Sequence, residues 1–430
     1  MNGMVRFLKK VWVADASMGY GHQRAAFALR NIAKGGASIH ADQYPGMPDS
    51  DKRIWQASRK LYETVSRFKN IPVLGDMVFG MFDTFQDIEE FYPKNQPIEH
   101  PTLQLKQIYG FLKNKKWGRH FIEKLEAHSG DPIPLVCTFP AVAFMAEYWG
   151  YEGTIWLVVT DSDVSRAWAP MKPWASRIKY FSSTAVSKER LLRYGIPQRN
   201  IFDVGFPLPL ESTQYARKDL ERRIQALDPD REYLKIYSDV VKRYVHMVPP
   251  KKRVRPLLTF AIGGAGAQED IAKEVLKSLT PLLRRKELEL CFAVGLHRDI
   301  AQDLKTMAKK LGASSSVRIL HSHSLQVYFK DFSKLLRETD VLWTKPSELI
   351  FYGALGIPLL LSPPVGFQEI RNQEWLVSIG TGITQLEPEL CHEWIPDFLY
   401  KGRFAEAAMQ GYLEMERQGA LHITNILNNS

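Results

Sequence analysis

A chain of 430 residues with 45% hydrophobic and 24% charged residues has an ordinary globular composition and the length of two or three domains. A disordered polymer, a coiled coil and a collagen-like repeat are excluded. The formal net charge of +10 calls for an anionic partner: nucleic acid, an anionic membrane or a phosphorylated small molecule. The charge is uneven: 27 basic against 19 acidic residues over 1–200, 26 against 19 over 201–350, and 4 against 9 over 351–430. No run of five Lys or Arg occurs; the densest clusters are Lys251, Lys252, Arg253 and Arg255, then Lys113, Lys115, Lys116 and Arg119. That pattern argues against a nucleic-acid-binding tail, and no nucleic-acid partner is expected.

In chain order, Val11–Ala14 is an apolar strand that runs through Gly19-Tyr20-Gly21-His22 into a helix over Gln23–Lys34. Residues 50–127 read as mostly helical and aromatic-rich. Strands follow at Pro134–Thr138, Thr154–Thr160 and Ile178–Ser182, then a helix Ser187–Tyr194 and a strand Ile201–Val204. Residues 209–255 are charged and helical, and read as a connection. A second series starts with strand Leu257–Ile262, the Gly263-Gly264-Ala265-Gly266 turn and helix Glu269–Lys277. Strand Glu289–Val294, helix Ile300–Leu311, strand Val317–His321, helix Phe329–Glu338 and strands Val341–Thr344 and Ile357–Leu361 complete it. The expectation is therefore an α/β protein with two Rossmann-like domains facing a central cleft: residues 1–208, a connection 209–255, residues 256–400, and a C-terminal helical piece 401–430 that packs back on the first domain.

The three cysteines, Cys137, Cys291 and Cys391, are odd in number, far apart and flanked by apolar residues. They read as buried free thiols of a reducing compartment, not as a disulfide framework or a zinc site. The N-terminal residues lack the apolar stretch of a signal peptide, and no apolar run reaches the length of a membrane helix. A cytoplasmic protein is expected, with a peripheral position on the inner face of the membrane as the variant reading.

Candidate chemistry lies where strands end. The Gly263–Gly266 turn between strand and helix suits a phosphate, since glycine admits close backbone approach and a helix N-terminus carries partial positive charge; a plain tight turn is the structural alternative. It is neither a dinucleotide fingerprint nor a Walker loop. His22 is a candidate general base, or a structural histidine after a turn. Asp161, directly after a strand, can orient His22, act as the base itself, or cap a helix. Gln368, Glu369 and Asn372 open a helix after the Pro363-Pro364 loop and can hydrogen-bond sugar hydroxyls. His321-Ser322-His323 lacks a third ligand at metal spacing, so no metal site is expected.

In their order, these pieces resemble the two-domain (GT-B type) glycosyltransferases: monogalactosyldiacylglycerol synthases, bacterial diacylglycerol glucosyltransferases and the peptidoglycan-precursor N-acetylglucosaminyltransferase, a GT28-like group. The resemblance is carried by Gly19-Tyr20-Gly21-His22, Thr138-Phe139-Pro140, Thr160-Asp161 with Trp168, Gly205-Phe206-Pro207, the Gly263–Gly266 turn, Asp340–Pro346 and Gln368-Glu369-x-x-Asn372, over about residues 8–380. The chain departs from the family at Lys345-Pro346-Ser347-Glu348, where Lys-Pro-Gly-Gly is usual, near Ser176, and at Phe367.

The resemblance implies an inverting, metal-independent transferase that needs no cofactor, with a nucleotide-diphosphate sugar, UDP-linked by preference, as substrate and a lipid or lipid-linked hydroxyl as acceptor. Gly263, Gly264, Gly266, Lys345, Ser347, Glu348, Gln368, Glu369 and Asn372 would hold the donor. His22 and Asp161 would be catalytic, with Gly19, Gly21, Thr138, Pro140 and Trp168 on the acceptor side. An anionic membrane is the further partner implied by the aromatic, basic stretch 50–127, in which Leu105, Ile108, Phe111 and Leu112 recur at helical spacing beside Lys106, Lys113, Lys115 and Lys116; packing of that face on its own domain is the alternative. Two other readings remain open: an epimerase or soluble-acceptor transferase on the same scaffold, and a non-catalytic nucleotide-sugar or lipid-binding protein. Nothing in the sequence speaks to the oligomeric state.

Overall fold

The computed structural model describes residues 10–68, 88, 91–92, 100–127, 130–245, 254–264, 266 and 268–430. The Lys251-Lys252-Arg253 cluster, Ala265 and much of the aromatic stretch lie outside them. The chain forms two compact units. The first comprises residues 1–209, 366–368 and 418–430; the second, residues 210–365 and 369–417.

The first unit is built on a six-stranded parallel sheet. Its strands are β1 (Trp12–Asp15), β2 (Ile39–His40), β3 (Leu135–Cys137), β4 (Ile155–Val158), β5 (Lys179–Ser182) and β6 (Ile201–Asp203), in the spatial order β2-β1-β3-β4-β5-β6. β3 and β4 are buried along their whole length, as parallel strands covered on both faces must be. The aromatic core gathers Trp55, Trp117, Phe121, Phe144, Trp168 and Tyr180. Leu105 and Leu112 of the helix Leu103–Lys115 are fully buried in this core, and Ile108 packs against it. The amphipathic face expected to meet a membrane is thus largely consumed by its own domain. The helix Gly419–Asn429 completes the unit. Ile423 and Leu427 are buried, His422 Nδ1 donates to the Val204 carbonyl at 3.2 Å, and a Cβ on Gly419 would stand 2.4 Å from the Phe206 carbonyl oxygen.

The second unit repeats the design. Strands β7 (Leu257–Ala261), β8 (Glu289–Gly295), β9 (Val317–His321), β10 (Val341–Thr344), β11 (Leu359–Leu361) and β12 (Gly382–Thr384) lie in the order β12-β11-β10-β7-β8-β9, all parallel. The segment expected as a connection belongs to this unit, because its helix Ala216–Leu227 delivers Arg223 into the interior. The Arg223 guanidinium, 1% exposed, donates to the carbonyls of Thr339, Leu355 and Leu336 at 2.7, 2.7 and 2.6 Å, and burial lowers its pKa to about 10. Residues 401–430 divide likewise: the helix Arg403–Glu414 stays in the second unit and only 418–430 join the first. Among the described residues, no helix is long and apolar enough to cross a membrane. All three cysteines are buried and free, with burial pushing the thiols of Cys291 and Cys391 up to about 12.

Candidate active site

Each sheet reverses its strand order once. In the first, the chain steps from β1 outward to β2 and then returns to β3 on the other side of β1. In the second, it runs from β7 to β8 and β9, then returns to β10 on the other side of β7. The loops leaving such a neighbouring pair part in opposite directions and open a crevice beyond the carboxyl ends of the strands. The candidate residues of the sequence gather at these two places.

At the first switch point, β1 ends at Asp15 and the chain turns through Gly19, whose φ of +100° suits glycine, into the helix Tyr20–Ala28. His22 sits in its first turn and Gly21 beside it. The Nδ1 of His22 lies 2.5 Å from the carbonyl oxygen of Thr138, directly after β3, and 3.5 Å from Thr160 Oγ1. A carbonyl can only accept, so Nδ1 carries a proton, and whenever the ring is neutral Nε2 is its basic nitrogen. Phe139 packs edge-on against the imidazole at 4.9 Å, and Trp168, 4% exposed, lies 6.2 Å away. Pro140 opens the helix Pro140–Tyr148. Thr138 is itself buried, with no hydrogen-bond partner for its Oγ1 among the described residues.

The His22 imidazole is held at Nδ1 by the main-chain carbonyl of Thr138. Asp161 follows β4. Its carbonyl accepts from Ser183 Oγ, and its carboxylate accepts from Gln368 Nε2 at 3.3 Å. Two residues on, Asp163 makes a buried bidentate pair with Arg190, Nε to Oδ1 at 2.9 Å and Nη2 to Oδ2 at 2.7 Å. Arg166 donates to the carbonyls of Ala169 and Pro170, and Tyr180 Oη to that of Trp168. This scaffold fixes the loop that carries Asp161 and Trp168.

Behind the His22 loop lies a cluster that sequence reasoning missed. Buried Asp15 accepts from Ser38 Oγ at 2.6 Å and from His40 Nδ1 at 2.5 Å. Asp42 accepts from the Ser17 amide at 3.1 Å and pairs with Arg59. The hydrogen bond to Asp15, and then its charge, hold the His40 pKa above the usual histidine value against the opposing effect of burial. The available signal was Asp15 itself, a carboxylate closing an apolar strand.

At the second switch point, the loop after β7 is drawn tight. The Gly266 amide donates to the Gly263 carbonyl at 2.9 Å, with φ of +72° at Gly266, and the Gly263 amide donates to Gln268 Oε1 at 3.4 Å. Two amides expected to face a phosphate therefore close the turn itself. Glu269 and Asp270 occupy the first turn of the following helix, where their charge competes with an anion. A cation comes from elsewhere. Lys345, directly after β10, lays its stem on Gly263: a Cβ there would stand 3.0 Å from Lys345 Cε. Its ammonium pairs with Glu369, in the first turn of the helix Phe367–Ser378 that follows β11. Glu369 is held in turn by the Val365 amide at 2.9 Å. His297, unnoticed in the sequence, donates from Nε2 to the Gly264 carbonyl at 3.0 Å.

Ser347 and Glu348 are partly exposed at the start of a short 3-10 stretch, Glu348–Leu355. Asn372 is 1% exposed and donates to the Pro346 carbonyl at 3.1 Å, so it positions the Lys345 loop. The trio expected to act together lies on one helix and meets three partners: Gln368 donates to Asp161, Glu369 pairs with Lys345, and Asn372 donates to the Pro346 carbonyl.

A family model for a domain of unknown function (DUF6938) matches residues 233–334. Along most of its length the chain is similar to processive diacylglycerol beta-glucosyltransferases. It is 22% identical to that of Bacillus pumilus over 382 residues, covering 87% of this chain and 82% of the relative, and 22% identical to that of Bacillus subtilis over 380 residues, covering 87% and 83%. The chain is a relative of the GT-B glycosyltransferases. Two six-stranded parallel α/β units are the architecture this relationship calls for. Matches among solved structures also include MurG of Acinetobacter baumannii (TM-score 0.49, 11% identity, 98% of this chain and 100% of that one) and the UDP-GlcNAc 2-epimerase of Neisseria meningitidis (TM-score 0.49, 13% identity, 98% and 100%).

Proposed function

We propose that this glycosyltransferase moves a sugar from a nucleotide-diphosphate sugar, UDP-linked by preference, to a hydroxyl of a lipid or lipid-linked acceptor, with inversion and without a metal ion. The observation that carries the reading is the hydrogen bond from His22 Nδ1 to the Thr138 carbonyl. In the neutral imidazole that bond makes Nε2 the basic nitrogen, and the reading assigns it as the base at the first switch point.

In this reading, the acceptor hydroxyl gives its proton to His22 Nε2 as its oxygen forms a bond to the anomeric carbon. The bond from that carbon to the diphosphate oxygen breaks, and its electron pair departs with the nucleoside diphosphate. Attack from the face opposite the leaving group inverts the centre. Lys345 offsets the charge that develops on the diphosphate, and Glu369 exchanges its salt bridge for sugar hydroxyls. Ser347, Glu348 and Gln368 are assigned to the rest of the donor, and Asp161 is the rival base. The relatives' names, processive diacylglycerol beta-glucosyltransferase, support the lipid acceptor.

The test is incubation with UDP-sugars and diacylglycerol in mixed micelles, with EDTA present. Mass spectrometry reads the product and the proton coupling at the anomeric carbon reads its configuration. A glycolipid of inverted configuration is expected. Consumption of the nucleotide sugar without acceptor would favour an epimerase, and binding without turnover a non-catalytic protein.

A further inference from the structure

The loop that carries His22 has no cap of its own. Gly19, at the N-terminus of the helix Tyr20–Ala28, has no side chain to accept from the first amides, and no acidic residue stands in the first turn. Another group must fix where that helix starts, and with it the backbone of His22.

The strand register supplies that group. β1 and β2 pair in parallel with Asp15 opposite His40, so Ser17 and Asp42, each two residues further on, leave the sheet side by side. The Asp42 carboxylate, wholly shielded from solvent, accepts at Oδ1 from the Ser17 amide at 3.1 Å and from the Ser17 hydroxyl at 3.3 Å. Its Oδ2 pairs with Arg59 of the helix Asp49–Phe68. Ser17 Oγ accepts in turn from Gln23 Nε2 at 3.4 Å, and Gln23, itself buried, is the residue after His22. A buried carboxylate is costly to keep, and hydrogen bonds to it are roughly twice as strong as those to a neutral acceptor.

We propose that Asp42 is a positioning residue for His22. Through Ser17 and Gln23 it sets the backbone from which the imidazole projects, while the Thr138 carbonyl sets the ring. Without Asp42 the first turn would shift, and the 2.5 Å bond from Nδ1 would lengthen or break. The neutral ring would then sample both tautomers, of which only one presents Nε2 as base. Misplacing a reacting group by about 1 Å costs about 10²-fold in rate. This role rests on the reading of His22 as the base.

Transfer kinetics and the nitrogen resonances of the His22 ring test it together. Asp42→Ala is expected to lower kcat about tenfold or more, with KM for the nucleotide sugar and affinity for UDP unchanged. Asp42→Asn, whose side-chain carbonyl still accepts from the Ser17 amide, should recover most of the loss. Ser17→Ala, which keeps the amide bond, should lose less than Asp42→Ala. In the His22→Ala background, Asp42→Ala should cost nothing further, because it acts only through His22. The ring resonances, assigned by their loss in His22→Ala, should show Nδ1 protonated in the wild type and averaged tautomers in Asp42→Ala, with or without transfer activity. Wild-type kcat in a folded Asp42→Ala, losses that add in the double variant, or an unchanged ring spectrum overturns the proposal. If Asp42→Ala does not fold, Ser17→Ala carries the same readings, and an unchanged ring spectrum there overturns it. A wild-type rate in His22→Ala would instead remove the base assignment and leave the ring spectrum to judge Asp42.

Discussion

The two switch points have the same topology and opposite chemistry. At the first, the key side chain is an imidazole held by neutral main-chain oxygen and walled by Phe139 and Trp168; the ionic groups Asp15, His40, Asp42 and Arg59 stand behind it. At the second, a glycine turn carries the stem of a lysine whose charge is balanced by Glu369. A neutral, oriented imidazole suits proton transfer. A lysine paired with a displaceable carboxylate suits an arriving anion. One fold performs both because the strand order fixes only where the loops meet, not what they carry.

Substitutions can break or sharpen this contrast. The largest effect is expected for His22→Ala, a loss of about 10²–10⁴ in transfer rate with unchanged UDP affinity and unchanged circular dichroism. A wild-type rate in that variant would remove His22 from the mechanism. Lys345→Met should do the reverse, weakening nucleoside diphosphate binding about tenfold or more in titration calorimetry. If His22→Ala weakened UDP to the same degree, the division of labour would fail.

Gly266→Ala meets only ordinary contacts, the nearest at 3.6 Å, so its cost is conformational: about 1–2 kcal/mol for a side chain at φ of +72°. A melt lowered by about 2–6 °C should show it, whereas an unchanged melt would mean that the turn does not need its positive φ.

The smallest effect concerns the ions behind His22. Because Asp15 raises the His40 pKa, the folded state binds that proton more tightly than the unfolded chain. The stabilisation is complete below the ordinary histidine value, near 6.5, and fades as pH rises through the folded value. His40→Gln should therefore remove about a degree of the difference between melts at pH 6 and pH 8, little because the His40 side chain is 39% exposed. An identical pH profile in wild type and variant would show that the pair contributes nothing.

Much of the fold was legible. Val317–His321 and Val341–Thr344 match the sequence reading to the residue, and the other core strands differ by one or two positions, because buried parallel strands are short apolar runs that stop at polar or small residues. The edge strands β2 and β12 were not read: two or three residues paired on one side leave no periodic signal. The first helix ends at Ala28, six residues before the expected Lys34, since the chain must turn back for Val11 to pair with Ala33. Leu103–Lys115 has the pattern of a membrane helix but is covered by its domain. Sequence shows that a face is apolar; what packs on it is decided by residues far along the chain. The same limit hid the hydrogen bond of His22 to Thr138 and the pairing of Lys345 with Glu369, which arise only once neighbouring strands are in register.

The first unit draws residues 418–430 from beyond the second, and Gly419 lies so close to the Phe206 carbonyl that no side chain fits there. A ribosome therefore delivers the second unit's residues, with their own core, before it delivers the piece that finishes the first. Until then the first unit waits with the seat of Ile423 and Leu427 uncovered, a hydrophobic opening that chaperones can hold and proteases can find. Order of synthesis and order of completion run opposite to each other along this chain.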